Sequence, residues 1–149
     1  MKEQLKNYRL PLNLDGFFGA TGGDLPKCTE MESIDKYIEM LLITYPGEHR
    51  FDPEFGTKIW DLDFESVVTQ VQWVETFRGY VREAVVKYEK RITDINVAID
   101  VKEVVRDEGI ADAVAIRRRV DVVIKAKLVS NGEKCAFGYS LYLGPLSNL

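Results

Sequence analysis

Three apolar runs of period two fill the C-terminal part of the chain, and few folds accept that pattern. Ile95, Val97, Ile99 and Val101 alternate with Asn96, Ala98, Asp100 and Lys102. Val120, Val122, Ile124, Ala126 and Leu128 alternate with Asp121, Val123, Lys125 and Lys127, and Cys135, Phe137, Tyr139, Leu141 and Leu143 form the third set. Successive strand side chains point to opposite faces, so each run has an apolar face and a more polar one. Strands of this kind make an antiparallel sheet packed on one side. Asn131-Gly132 between the second and third runs is a strong hairpin signal. The connection from Arg106 to Ala115 is longer and rich in small residues, which leaves its shape open.

Two helices are available to cover the apolar face. Thr29 and Glu32 have the spacing of a capping box, and Ile34, Tyr37, Ile38, Leu41, Leu42 and Tyr45 then recur at helical intervals. Pro46-Gly47 stops that helix. Ser66 is the expected N-cap of a longer second helix, with Val67, Val71, Val74, Val81, Val85 and Tyr88 as its stripe. Phe77 and Ala84 join that stripe, Trp73 and Tyr80 flank it, and Gly79 marks a position where another backbone could pack closely. Helix, helix and three strands in sequence order predict an α+β domain over residues 29–149, with the sheet as a meander. Residues 1–28 are expected to form an arm. Leu10, Leu12 and Leu14 could make a short edge strand there, and the glycine-rich stretch 16–23 carries Phe17 and Phe18. Those phenylalanines fit either a loop tucked under the domain or an arm that orders on a partner.

Composition narrows the chemistry. A chain of 149 residues, 46% hydrophobic and 30% charged, is sized and composed like one ordinary globular domain. A net charge of −4 gives no electrostatic support to nucleic-acid binding. Cys28 and Cys135 lie far apart and are expected to be free thiols. With no apolar signal core and no run near the ~20 residues that span a bilayer, a cytoplasmic protein without membrane insertion is expected. His49 is the single histidine, so neither a metal centre nor a cofactor is expected, and no serine sits in a nucleophile elbow. A glycosidase would need two carboxylates across a cleft, one with a raised pKa. Glu48, Asp52, Glu54, Asp61, Asp63 and Glu65 supply carboxylates, but Arg50 beside Glu48 would lower its pKa, wrong for a general acid. Arg117-Arg118-Arg119 with Asp121 nearby reads as a solvated strand end, or as a contact for an acidic patch on a partner.

The segment from Leu41 to Phe64 follows neither period. Thr44-Tyr45-Pro46-Gly47-Glu48-His49-Arg50-Phe51-Asp52-Pro53-Glu54-Phe55-Gly56 leads into Ile59-Trp60-Asp61-Leu62-Asp63-Phe64. Its prolines and glycines imply a rigid, turning backbone, and such segments on a packed scaffold are where binding surfaces tend to sit. Glu48 and Arg50 allow two readings. They brace the turn, or they dock a partner together with Phe51, Phe55 and Trp60, since arginine and aromatic residues are enriched among interface hot spots. The residues alone do not separate these.

This segment resembles the small baseplate wedge proteins of contractile phage tails and their type VI secretion counterpart, TssE, some of which have carried a lysozyme label. The family pattern is a leucine-rich helix end, Thr-x-Pro-Gly-Glu-x-Arg, an aromatic, Pro-x-Phe-Gly and Leu/Ile-Trp-Asp-Leu-x-Phe. Only His49 departs from it, where many relatives carry proline. The opening Tyr8-Arg9-Leu10-Pro11-Leu12-Asn13-Leu14 is similar to versions in Bacteroidetes-type systems. The resemblance implies a structural, non-enzymatic subunit of a type VI contractile machine, located at the membrane-proximal baseplate. It further implies that Pro46, Gly47, Glu48, Arg50, Phe51, Phe55 and Trp60 bind larger wedge subunits of the TssF/TssG kind. By the same resemblance, sheath subunits of the TssB/TssC kind would add a strand to the sheet, with Phe137, Tyr139 and Leu141 on the receiving strand if it lies at the edge.

Overall fold

Thr29 opens the first helix as its spacing predicts. The computed structural model describes residues 5–15, 18, 23, 25–62, 69–107 and 114–143, without the side chains of 104–107 and 114–117. Helix α1 runs Glu30–Ile43; the Thr29 hydroxyl accepts from the Glu32 amide (3.2 Å) and the Glu32 carboxylate from the Thr29 amide (3.0 Å). Ile34, Ile38, Leu41 and Leu42 are its buried face. Helix α2 runs Gln70–Tyr88 and is capped by Thr69, not by Ser66, which lies outside the described residues, as does Val67.

The buried face of α2 is Trp73, Phe77, Val81, Ala84 and Val85, whereas Val71 is 73% exposed. The expected aliphatic stripe is therefore out of phase by about a third of a turn at Val71, and the large ring of Trp73 takes the inner position. Gly79 is also not a close contact. A Cβ built there meets nothing within 4 Å. Gly79→Ala is accordingly expected to stabilise the protein by about 1 kcal/mol, the helix-propensity difference, read as a rise in urea midpoint at unchanged slope.

Strands β3 (Ile92–Asp107), β4 (Val114–Leu128) and β5 (Lys134–Leu143) pair antiparallel in the order β3-β4-β5. Val120, Val122 and Ile124 on the central strand have no exposed surface, and Cys135, Phe137, Leu141 and Leu143 line the same face of β5. Against this face pack the apolar sides of α1 and α2, forming one core. The result is the expected α+β arrangement. The strands are longer than their apolar patterns. β3 and β4 stay paired as far as Asp107 and Val114, beyond Arg118, which faces Leu143, the last described residue of β5. Arg117–Arg119 thus lie within a strand, and the Arg119 guanidinium meets the Asp121 carboxylate at 2.8 Å. The residues joining β3 to β4 lie outside the described set.

The β4–β5 turn closes as expected. Gly132 takes φ +73°, its amide donates to the Leu128 carbonyl (2.8 Å), and the Leu128 amide donates to the Glu133 carbonyl (2.8 Å). At the other end of the core, Glu89 is 2% exposed between α2 and β3. Both its carboxylate oxygens accept from the Arg91 guanidinium (2.9 and 2.8 Å), which also donates to the Ser33 hydroxyl on α1 (2.8 Å). The Tyr139 hydroxyl of β5 donates to the Asp35 carboxylate (2.8 Å); burial, with Asp35 assisting, pushes its pKa well above the ordinary tyrosine range.

The arm folds back on itself. β1 (Asn7–Tyr8) pairs antiparallel with β2 (Lys27–Cys28), and the Arg9 amide donates to the Pro26 carbonyl (2.9 Å). Leu10, Leu12 and Leu14 form no strand: no described strand faces them and Pro11 lacks a donor, and Leu12 and Leu14 are exposed. Phe18 is 77% exposed, while Phe17 and most of the glycine stretch lie outside the described residues. Cys28 and Cys135 are free and buried.

Candidate functional site

The irregular segment between the helices is held shut at its base. Thr44 caps α1, its hydroxyl donating to the Met40 carbonyl (2.5 Å), and its own carbonyl accepts from the Thr57 amide (3.1 Å). That bond needs Gly56, which sits at φ +127° with the Thr44 carbonyl oxygen 2.5 Å from where a Cβ would stand. Phe55 turns inward and is 6% exposed. Its ring lies 5.9 Å from Tyr37, 5.4 Å from His49 and 5.1 Å from Tyr88, in tilted and edge-on contacts that aromatic pairs favour. Trp60, half-buried in a 3-10 turn (Lys58–Asp61), donates its indole N–H to the Leu42 carbonyl at 2.9 Å.

Polar ties complete the frame. The Tyr45 hydroxyl bonds the Asp61 carboxylate, and Lys87 of α2 pairs with Glu54. The His49 Nδ1 accepts from the Asp52 amide (3.2 Å), so the lone histidine serves the turn.

On the outer side, Gly47, at φ +99°, and then Glu48, His49, Arg50 and Phe51 are exposed, and Pro46 is half-buried. Phe51 is 88% exposed, with the Arg50 guanidinium 5.9 Å over its ring. Glu48 and Arg50 pair neither with each other nor with another described residue; the Glu48 backbone alone joins the turn, donating to the Tyr45 carbonyl (3.1 Å). The seven residues grouped by the sequence are therefore of two kinds. Phe55 and Trp60 hold the loop from inside, which leaves Phe55 little surface for a partner. Glu48, Arg50 and Phe51 stand outside.

The second expected site calls for an edge strand. β5 is an edge strand. Because the Leu128 amide bonds Glu133, alternate β5 residues from Cys135 onward, including Phe137, Tyr139 and Leu141, direct their backbone groups to β4. The intervening Lys134, Ala136, Gly138, Ser140 and Tyr142 direct theirs outward. Phe137 and Leu141 are buried in the core and Tyr139 is bonded to α1, so the groups open to a further strand belong to their neighbours.

A family model described as baseplate wedge protein gp25 matches residues 29–133, from the N-cap of α1 into the β4–β5 turn. The chain belongs to the gp25 baseplate wedge family. It also matches a solved structure, a candidate tail lysozyme from Geobacter sulfurreducens, at 22% identity and a TM-score of 0.58, covering 80% of this chain and 96% of that one. That likeness bears on the fold alone. The comparison with curated proteins returns no match.

In this wedge protein the described carboxylates of the loop are individually occupied or open to solvent. Asp52 accepts from the Glu54 amide (3.1 Å), Glu54 pairs with Lys87, Asp61 takes the Tyr45 hydroxyl and Glu48 is exposed. Asp63 and Glu65 lie outside the described residues. No group of three or more His, Cys, Asp or Glu side chains able to hold a metal occurs among the described residues, nor any helix long and apolar enough to cross a membrane. Sequence reasoning missed the roles of Tyr37, Tyr45, Lys87 and Tyr88 in framing the loop. Their partners lie too far along the chain for any local pattern to reveal them.

Proposed function

We propose that this wedge protein is a structural, non-enzymatic subunit of a type VI contractile machine, TssE-like, working in the cytoplasm at the membrane-proximal baseplate. Its loop docks on a helical bundle of larger TssF/TssG-like wedge subunits, and its β5 edge receives a strand from TssB/TssC-like sheath subunits, giving the first ring its template. The supporting observation is that Glu48 and Arg50 form no ion pair with a described residue, with Arg50 over an 88% exposed Phe51, on a loop fixed from within by Phe55 and Trp60. Charged groups left unpaired at a rigid rim can gain a partner without breaking internal bonds, and truncating one member of a water-excluded charge pair costs about 2–5 kcal/mol of binding.

Glu48→Ala/Arg50→Ala is therefore expected to keep its stability within about 0.5 kcal/mol of wild type. Tagged in the native host, it should fail to recover the wedge subunits that wild type recovers. Recovery by both forms demotes the pair, and recovery of neither wedge nor sheath components by wild type defeats the baseplate reading. In that last case an adaptor outside any injection machine becomes the working reading; the other rival, a cell-wall hydrolase, draws on the description of the Geobacter neighbour. It requires peptidoglycan turnover that disappears in Glu48→Gln.

A further inference from the structure

The outer face of the sheet, away from both helices, is not uniformly charged. Away from the β4–β5 turn, Asp121 accepts from the Ser140 hydroxyl (2.7 Å) and from Arg119 (2.8 Å), and Lys102 reaches Asp121 and Asp100 at 3.4 and 3.5 Å. The bonds from Ser140 and then Arg119 hold the Asp121 carboxyl below its usual range. Lys102, Arg119, Asp100 and Asp121 thus answer one another.

Toward the β4–β5 turn the described charges are not all answered. Lys125 and Lys127 of β4 and Lys134 of β5 share the outer face, with Lys127 directly opposite Lys134 in register. Like charges directly opposite on a sheet are unfavourable unless something answers them. Asp94 answers one. An extra residue in β3 between Thr93 and Asn96 puts it at φ +54°, and its carboxylate lies 3.2 Å from Lys127. Lys125 and Lys134 have no acidic partner among the described residues. With Asp94, Asn96, Lys127 and Ala136 they line a shallow depression. Next along the edge comes Gly138, where a Cβ would meet open space.

Lys134, Ala136 and Gly138 are the same residues whose backbone groups face outward from the edge. We infer that the strand added to β5 is acidic on its outer face where it passes Lys134 and Ala136, and apolar on its inner face opposite Cys135 and Phe137. This rests on the strand-addition reading above and specifies the chemistry of its partner. A strand about 4.8 Å from β5 places an outer-face carboxylate beside Lys134 and within reach of the Lys125 stem. The small side chains at Ala136 and Gly138 leave the incoming strand room to lie flat. Because, among the described residues, the unanswered lysines sit at the turn end, they also select register: sliding the strand by two residues keeps the apolar face inward but moves a carboxylate away from them.

The test uses the full chain and two synthetic ten-residue peptides, one alternating valine with glutamate and one alternating valine with lysine. Amide hydrogen exchange at Gly138 reads strand addition, because that N–H faces outward and gains a partner only when a strand docks. The acidic peptide is expected to protect Gly138 at about tenfold lower concentration than the basic one. Lys125→Glu/Lys134→Glu should reverse the order, whereas Lys6→Glu/Lys90→Glu, with the same net charge, should not. Equal protection by both peptides overturns the charge assignment and leaves strand addition standing. Protection of Gly138 by neither peptide, even at millimolar concentration, overturns strand addition by such segments and this inference with it. Binding of the acidic peptide without protection of Gly138 places it across the face and also overturns the inference.

Discussion

Gly56→Ala is expected to lower the melting temperature by roughly 10 °C, the equivalent of about 3 kcal/mol in a domain of this size. Two costs combine. The backbone at φ +127° is one that an alanine rarely adopts, and the new methyl would stand 2.5 Å from the Thr44 carbonyl oxygen. That oxygen accepts the Thr57 amide, and Thr57 is 1% exposed, so relieving the clash breaks a bond in a place water does not reach. Gly47→Ala supplies the comparison. It shares a positive φ, at +99°, but its Cβ would meet open space, and the expected loss is about 1 kcal/mol. Thermal melts of the two variants side by side separate steric closure from backbone preference. Equal melting temperatures would mean that the Thr44 contact does not hold the loop.

The second large effect is expected at Arg91. Its removal leaves the Glu89 carboxylate, 2% exposed, without its guanidinium and takes the donor from Ser33 as well. Arg91→Ala is expected to cost about 3 kcal/mol, since one member of a buried pair stranded alone loses more than the pair gained. Glu89→Met/Arg91→Met should recover most of that loss, because apolar side chains of similar length need no counter-charge. Urea midpoints at constant slope are the measurement. A double variant no better than Arg91→Ala would assign the effect to the Ser33 tie and to packing of the arginine stem.

What the residues disclosed in advance was what short stretches decide. The capping box needs only Thr29 and Glu32, and the period-two runs carry their buried face in their own spacing. Phases that depend on distant neighbours were misjudged. Val71 matches Val85 in local pattern, yet in the first turn of α2 it is 73% exposed while Val85 is buried. Phe51 and Phe55 differ little in local context. What turns Phe55 inward is Tyr37 on α1 and Tyr88 near the end of α2, and no local pattern records that meeting. Alternation along β5 likewise placed its side chains correctly but could not say which amides face β4, because hydrogen-bond parity is set by the Leu128–Glu133 closure. The Glu89–Arg91 pair was not singled out at all, since burial rather than spacing gives it weight.

Because Phe55, Trp60 and the Thr44–Thr57 bond order the segment that bears Arg50 and Phe51, its conformational entropy is already lost when the chain folds. A partner docking there, as proposed, would do so without a disorder-to-order step. Association there should then show a heat-capacity change sized to the contact area alone, and a rate limited by orientation rather than by rearrangement.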